Sequence, residues 1–265
     1  MIGGRVPIRA VGGLDRDRTA DHRLLTRRDA DLVSAGGQNG PVDQPVRRWG
    51  PTAVVAAILL VLAGVLVAVA FTGGLLADDR GLLDGAAAGR SPGLTTAAVV
   101  LTTVGNTAAM AVLAVVVGGV LFVRGRRAEG VYLVATMGSA SVVFTVVKNL
   151  LDRPRPPAEL QVLRETNESL PSGHATMSAT VIGAIVILAW PHLAALGRAL
   201  AVVAAVLWVG AVGATRIYLG VHWFSDVLAG WTLGLGWASL GAAILFRWCA
   251  PAPAAPDAQD AAERG

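Results

Sequence analysis

The chain carries 22 lysine and arginine residues, and a single one of them, Lys148, is lysine. It closes an apolar run in the stretch "VVKNLLDRPRPP" (146–157), seven residues before Arg155. Further on, "PSGH" (171–174) opens another apolar run, Arg216 closes a third, and "HWFSD" (222–226) opens a fourth. These residue types suit one substrate, a dianionic phosphate. Lys148, Arg155 and Arg216 supply three cations, and the two arginines can each clamp two oxygens. Lysine adds a compact point charge on a flexible stem. A helix that starts near His174 points the free N–H groups around Gly173 at an anion, and glycine lets the backbone come close. Asp226 lies four residues after His222, one helical turn away, so its carboxylate can take the proton of one ring nitrogen and leave the other as a nucleophile. His174 sits across the phosphate as general acid for the leaving group. With both histidines and the aspartate used in this way, no metal site and no cofactor is expected.

Such residues act together only if the chain brings them to one place. Composition supplies the frame: 54% hydrophobic and 15% charged residues with a mean hydropathy of +0.60, too apolar for an ordinary soluble domain. One cysteine, Cys249, excludes an intrachain disulfide and a thiolate cluster. The basic residues are not interleaved with aromatics, so nucleic acid is not an expected partner. A bilayer core of about 30 Å needs about 20 helical residues. Runs of that size read as spans at 52–72, 104–123, 130–148, 174–190, 199–216 and 225–246. The expected fold is all-α, a six-transmembrane-helix bundle over 52–247. Residues 1–51 read as a disordered polar N-terminal tail and 248–265 as a short C-terminal tail. The apolar stretch 92–103 would make the second span too long and reads as an interfacial segment.

With both termini cytoplasmic, 15 of the basic residues fall on the inner side and seven on the outer, which fits the positive-inside bias. The loops after spans one, three and five then face outward, and Lys148, Arg155, "PSGH", Arg216 and "HWFSD" all reach that side. Taken singly, Lys148 and Arg216 read as snorkelling anchors at helix ends, Ser172 as the N-cap of span four, and His222 with Asp226 as an i,i+4 pair. An odd number of spans would scatter them; six bring them together.

The three segments "KNLLDRPRP", "PSGH" and "TRIYLGVHWFSD" resemble, in order, the three-part signature of the type 2 phosphatidic acid phosphatase family. The resemblance covers roughly residues 50–247. It implies that Lys148, Arg155, Ser172, Gly173 and Arg216 bind phosphate, that His174 protonates the leaving group, that His222 is phosphorylated and that Asp226 orients it. Thr215 stands where the family has serine and keeps the hydroxyl, so a changed fit is expected. The implied substrates are phosphatidic acid, phosphatidylglycerol phosphate or a polyprenyl diphosphate in the outer leaflet of the cell membrane. Protein partners are unknown at this level. Two other readings use the same residues: a vanadate-dependent haloperoxidase, disfavoured because those enzymes are soluble, and a non-catalytic membrane protein that retains the motif, disfavoured by the intact His222–Asp226 pair.

Overall fold

The structure, a computed structural model, describes residues 49–73 and 76–249. The two expected tails therefore lie almost wholly outside the described residues. All regular structure among the described residues is helical: α1 (Trp49–Phe71), α2 (Leu76–Ala88), α3 (Pro92–Val104), α4 (Thr107–Val123), α5 (Arg127–Leu151), α6 (Gly173–Ala189), α7 (Ala195–Tyr218) and α8 (Phe224–Trp248), with short 3-10 turns at Ala158–Leu160 and Trp190–His192. Five helices are long and apolar enough to cross a membrane: α1, α5, α6 (continued to His192), α7 and α8. This is a multi-pass membrane protein.

The sixth span corrects the sequence reading. Residues 92–103, expected as an interfacial segment, are helical and run on into the second apolar run. They form α3, which joins α4 across a 45° bend, and the pair is apolar and long enough to cross as one broken span. Local chemistry makes the break. Asn106 caps α4 by accepting from the Ala109 N–H at 2.7 Å, which forces a new helix start where the apolar pattern runs on unbroken. Ser91 and Pro92 start α3 in the same manner, with a capping serine followed by proline in the first turn. A second feature is new altogether: α2 occupies part of the connection after the first span, where no helix was expected.

In lipid, helices associate through close packing rather than through exclusion of water. α1 is apolar all round, and its buried residues Ala56, Ala63 and Ala70 form one stripe of small side chains. Its other faces expose Val54, Ile58, Val61 and Val65, as a lipid-facing helix should. The core proper joins α4, α5, α6 and α8 through Met110, Leu133, Met177, Val181 and Ala238. Tyr132 is buried there with its hydroxyl donated to the Ala238 carbonyl at 2.8 Å. α6 and α8 cross at glycine: a Cβ on Gly234 would lie 2.4 Å from the Thr176 carbonyl oxygen, and one on Gly230 would lie 2.9 Å from that of Ser172. That contact clamps the N-terminal ends of α6 and α8 side by side. It brings "PSGH" against "HWFSD".

Candidate active site

The site is built on four helix ends. Lys148 lies in the last turn of α5, Gly173 and His174 open α6, Arg216 lies in the last turn of α7, and Asp226 lies in the first turn of α8. Arg155 and His222 sit on the connecting segments. The structure thus brings the sequence-expected residues to one end of the bundle.

His222 is not on a helical face, as the four-residue spacing suggested. α7 ends at Tyr218, and the chain turns through Gly220 at φ +73° before α8 begins at Phe224. Only glycine takes that backbone easily, and a Cβ there would lie 2.1 Å from the Leu160 carbonyl oxygen. The turn carries His222 across the mouth of α8, where its Nδ1 faces Asp226 Oδ2 at 3.3 Å. Asp226 Oδ2 also accepts from the Trp223 N–H at 3.0 Å and from the Ser169 hydroxyl. One carboxylate therefore starts the helix and fixes the ring. His222 Nε2 points the other way and lies 3.3 Å from an Arg155 guanidinium nitrogen. A guanidinium has only donors, so Nε2 is the acceptor and the proton sits on Nδ1, toward Asp226. Burial pushes the His222 pKa down to about 4; the neighbouring Arg155 and Arg216 charges add to this, and Asp226 opposes it. The ring is neutral at pH 7.

The cations are held in place before any substrate arrives. Lys148 is 4% exposed and donates to the Glu168 carbonyl at 2.6 Å. Arg155 donates to the Asn167 carbonyl at 2.6 Å, to the Asn167 side chain and to the Val221 carbonyl. Burial holds its pKa below the usual arginine value, and the Glu165, Asp226 and Glu168 charges oppose this. Arg216 is 1% exposed; one nitrogen donates to Thr102 Oγ1 and another to Glu165 Oε1, each at 2.7 Å. Partial burial pushes the Glu165 carboxyl up, but the Arg216 hydrogen bond and the Arg216 and Arg155 charges outweigh it, so Glu165 stays below the usual carboxylate range. His174 is within electrostatic reach of Arg216, His222, Arg155 and Lys148.

Ser172 departs from the expected cap. It precedes α6, but its hydroxyl accepts no backbone N–H; it is buried and has no hydrogen-bond partner. The Arg216 Nε is in the same condition. Two buried, unsatisfied polar atoms in one cluster are costly in a purely structural role and suit a group that meets an oxyanion. Gly173 also leaves room for the Phe144 ring, which a Cβ would meet at 3.1 Å. The Thr215 hydroxyl donates to the Val212 carbonyl at 2.6 Å and is spent on its own helix. The exchange from serine is thereby absorbed in α7. No group of three histidine, cysteine, aspartate or glutamate side chains with metal-binding geometry occurs among the described residues.

Sequence reasoning missed a second layer of groups: Asp79, Thr102, Arg153, Glu165, Asn167, Ser169 and Ser225. Arg153 was within sight, since "DRPRP" offers two arginines. Asp79 left a fainter signal: it lies one helical turn before Leu83, and both are buried.

A family model described as "PAP2 superfamily" matches residues 129–249. Phosphatidylglycerophosphatase B of Bacillus subtilis is 30% identical over 173 residues, which cover 64% of this chain and 85% of that protein. The chain belongs to the PAP2 superfamily. A crystal structure of a transmembrane PAP2-type phosphatidylglycerolphosphate phosphatase from Bacillus subtilis matches with a TM-score of 0.65 at 28% identity, over 70% of this chain and 93% of that one. Undecaprenyl-diphosphatase of Sulfolobus acidocaldarius is 36% identical over 122 residues, 43% of this chain and 53% of its own length. Lipid A 1-phosphatase of Rhizobium etli is 31% identical over 129 residues, 45% of this chain and 51% of its own. The chain spans about half the length of these last two. This PAP2 protein is an enzyme, a membrane phosphatase.

Proposed function

We propose that this PAP2 phosphatase hydrolyses a phosphomonoester or diphosphate headgroup of a membrane lipid through a phosphohistidine on His222, without a metal. The observation that carries the reading is the two-sided environment of the His222 ring. Nδ1 faces Asp226 at 3.3 Å, and Nε2 lies 3.3 Å from the Arg155 guanidinium. A phosphate held by Arg155 therefore meets the lone pair of a neutral imidazole. Lys148, Arg216, Ser172 and the Gly173 N–H complete the phosphate shell, aimed at the charge that builds on the equatorial oxygens.

In the first step the Nε2 lone pair forms a P–N bond while the P–O bond to the leaving group breaks, and the leaving oxygen takes the His174 proton. In the second step water attacks phosphorus and gives its proton to His174. The P–N bond then breaks, its electron pair returns to Nε2, and inorganic phosphate leaves. Both histidines end as they began.

The relatives point to the substrate class: their names cover a phosphatidylglycerophosphate, an undecaprenyl diphosphate and the 1-phosphate of lipid A. The shared chemistry is a phosphate on an apolar anchor. The 15-to-seven split of basic residues favours a site at the outer leaflet with both termini cytoplasmic. Single cysteines at Glu159 and Ala128, in a Cys249→Ser background, test this on intact cells with an impermeant thiol reagent; labelling at 128 alone would reverse it. The central test is rapid-quench capture of phosphoenzyme from phosphatidic acid and from a polyprenyl diphosphate, with EDTA present. His222→Ala should abolish capture from both. His174→Ala should slow capture far more for the monoester, whose alkoxide needs a proton, than for the diphosphate, whose leaving phosphate barely does. Capture that survives His222→Ala, or that requires added magnesium, would refute the mechanism.

A further inference from the structure

We propose that Asp79 and Arg153 are positioning residues for the nucleophile: Asp79 anchors Arg153, and Arg153 anchors the Asp226 carboxylate that orients His222. The inference rests on the reading of His222 as nucleophile with Asp226 as its partner.

Three segments distant in sequence converge here: α2, the loop after α5, and the start of α8. One Arg153 nitrogen donates to Asp226 Oδ1 and also to Ser225 Oγ at 2.9 Å; the other donates to Asp79 Oδ2 at 2.9 Å. Asp79 Oδ1 accepts the Ser225 N–H at 2.8 Å, and its Oδ2 accepts the Ser225 hydroxyl. The Arg153 carbonyl accepts the Ser169 N–H at 2.9 Å, while the Ser169 hydroxyl donates to Asp226 Oδ2. Asp79 is 1% exposed, Arg153 5% and Asp226 0%, so this is a dry chain of charge rather than a surface pair.

The division of labour on Asp226 is the key. Oδ1 belongs to Arg153, and Oδ2 belongs to His222 and the groups around it. With Oδ1 pinned, the carboxylate cannot rotate away from the ring. Pinning by an arginine has a drawback, because the ring gains positive charge as Nε2 attacks phosphorus and a bare guanidinium would oppose that. Asp79 cancels the opposition. Asp79, Arg153 and Asp226 together carry one net negative charge, as Asp226 alone would, and the geometry is retained. None of the contacts of Asp79 involves Lys148, Arg155, Ser172 or Arg216.

Asp79→Asn is the informative variant, since it is isosteric, keeps an oxygen for the Ser225 N–H and removes the charge. Turnover of a short-chain phosphatidic acid in detergent should show kcat reduced by about 10- to 100-fold, the range for partners one layer behind a reacting group, with KM unchanged within about twofold. The sign is then tested by removing the opposing cation. Asp79→Asn with Arg153→Gln restores one net negative charge beside the ring and keeps a donor near Oδ1, so it should recover at least about fivefold of the lost kcat. A purely structural salt bridge would instead show its loss and recovery in Tm and in the amount of folded protein, with kcat per folded enzyme unchanged throughout. Wild-type kcat in Asp79→Asn, a KM that rises in step with the loss, or a double variant no better than the single would each overturn the proposal. If the single variant does not accumulate in membranes, the double one decides, and kcat more than about 100-fold below wild type refutes it. His222→Ala is the control. Turnover that survives it defeats the nucleophile itself, whereas a dead His222→Ala beside a fully active Asp79→Asn defeats only the role of Asp79 and Arg153.

Discussion

Arginine serves both ends of the bundle, under opposite conditions. At the end opposite the site, Arg127 stacks on the Phe122 ring at 5.5 Å, Arg198 on Trp190 at 5.4 Å and Arg247 on Trp49 at 5.9 Å. Arg126 donates to the exposed His192 at 3.0 Å. These side chains keep solvent contact. At the site end, Arg153 and Arg216 are buried and each nitrogen that bonds has an assigned oxygen. An exposed pair gains little over water and is screened by salt. A buried pair broken on one side costs about 3–5 kcal/mol, because the remaining charge has nowhere to go. The first set stays in contact with its surroundings, and the second holds buried charges against named oxygens. Residue type does not separate these roles; burial does.

Three measurements sharpen that contrast. The largest effect expected is on the His222 ring, whose pKa burial depresses to about 4, below that of an unperturbed histidine. On the proposed mechanism protonation blocks Nε2, so activity should be lost only as pH falls through about 4 and be kept, as far as His222 is concerned, at pH 5 and 6. Ring resonances followed by NMR in detergent check this directly, and a midpoint near 6.5 for His222 would mean that the site is wet. Next comes Lys148→Arg, which keeps the charge but puts a planar fork in the buried space of an ammonium bonded to the Glu168 carbonyl. The kcat/KM should fall about 100-fold or more, and a variant of near wild-type activity would return Lys148 to the class of membrane anchors. The smallest effect belongs to the far end: Arg198→Ala, which removes a stack on Trp190 and a bond to its carbonyl, should leave kcat within about twofold and Tm within about 2 °C. A loss comparable to that of Lys148→Arg would erase the distinction between the ends.

Much of this was legible in the sequence. Six apolar runs predicted the spans, because the bilayer sets a length that hydropathy can read. The groups expected to meet phosphate stood out through rare residue types at helix ends: a lone lysine, "PSGH" and "HWFSD". The bend at Gly105–Asn106 was hidden, since one asparagine in an apolar run does not announce whether it will cap a new helix. The groups behind the site were hidden for a different reason. Asp79, Glu165, Asn167 and Ser169 are ordinary loop or amphipathic-helix residues, and their importance is a property of the partner each meets across the fold. Ser172 carried two readings, a phosphate ligand by resemblance and a helix cap when taken singly, and only the structure shows that its hydroxyl makes no cap bond.

The pairing of Glu165 with Arg216 has a consequence for how the enzyme selects among anions. One nitrogen of that guanidinium already holds a carboxylate of the protein's own, while Nε is left without a partner. On the proposed mechanism an incoming phosphate would meet Arg216 at Nε beside a carboxylate that repels it, so its affinity would be a difference between attraction and repulsion at one residue. A singly charged, weakly coordinating anion would gain almost nothing there, whereas a dianion that also engaged Lys148 and Arg155 would gain at three points. The resting site would then work like a resin preloaded with a weak counter-ion, passing over monoanions and yielding to a doubly charged headgroup.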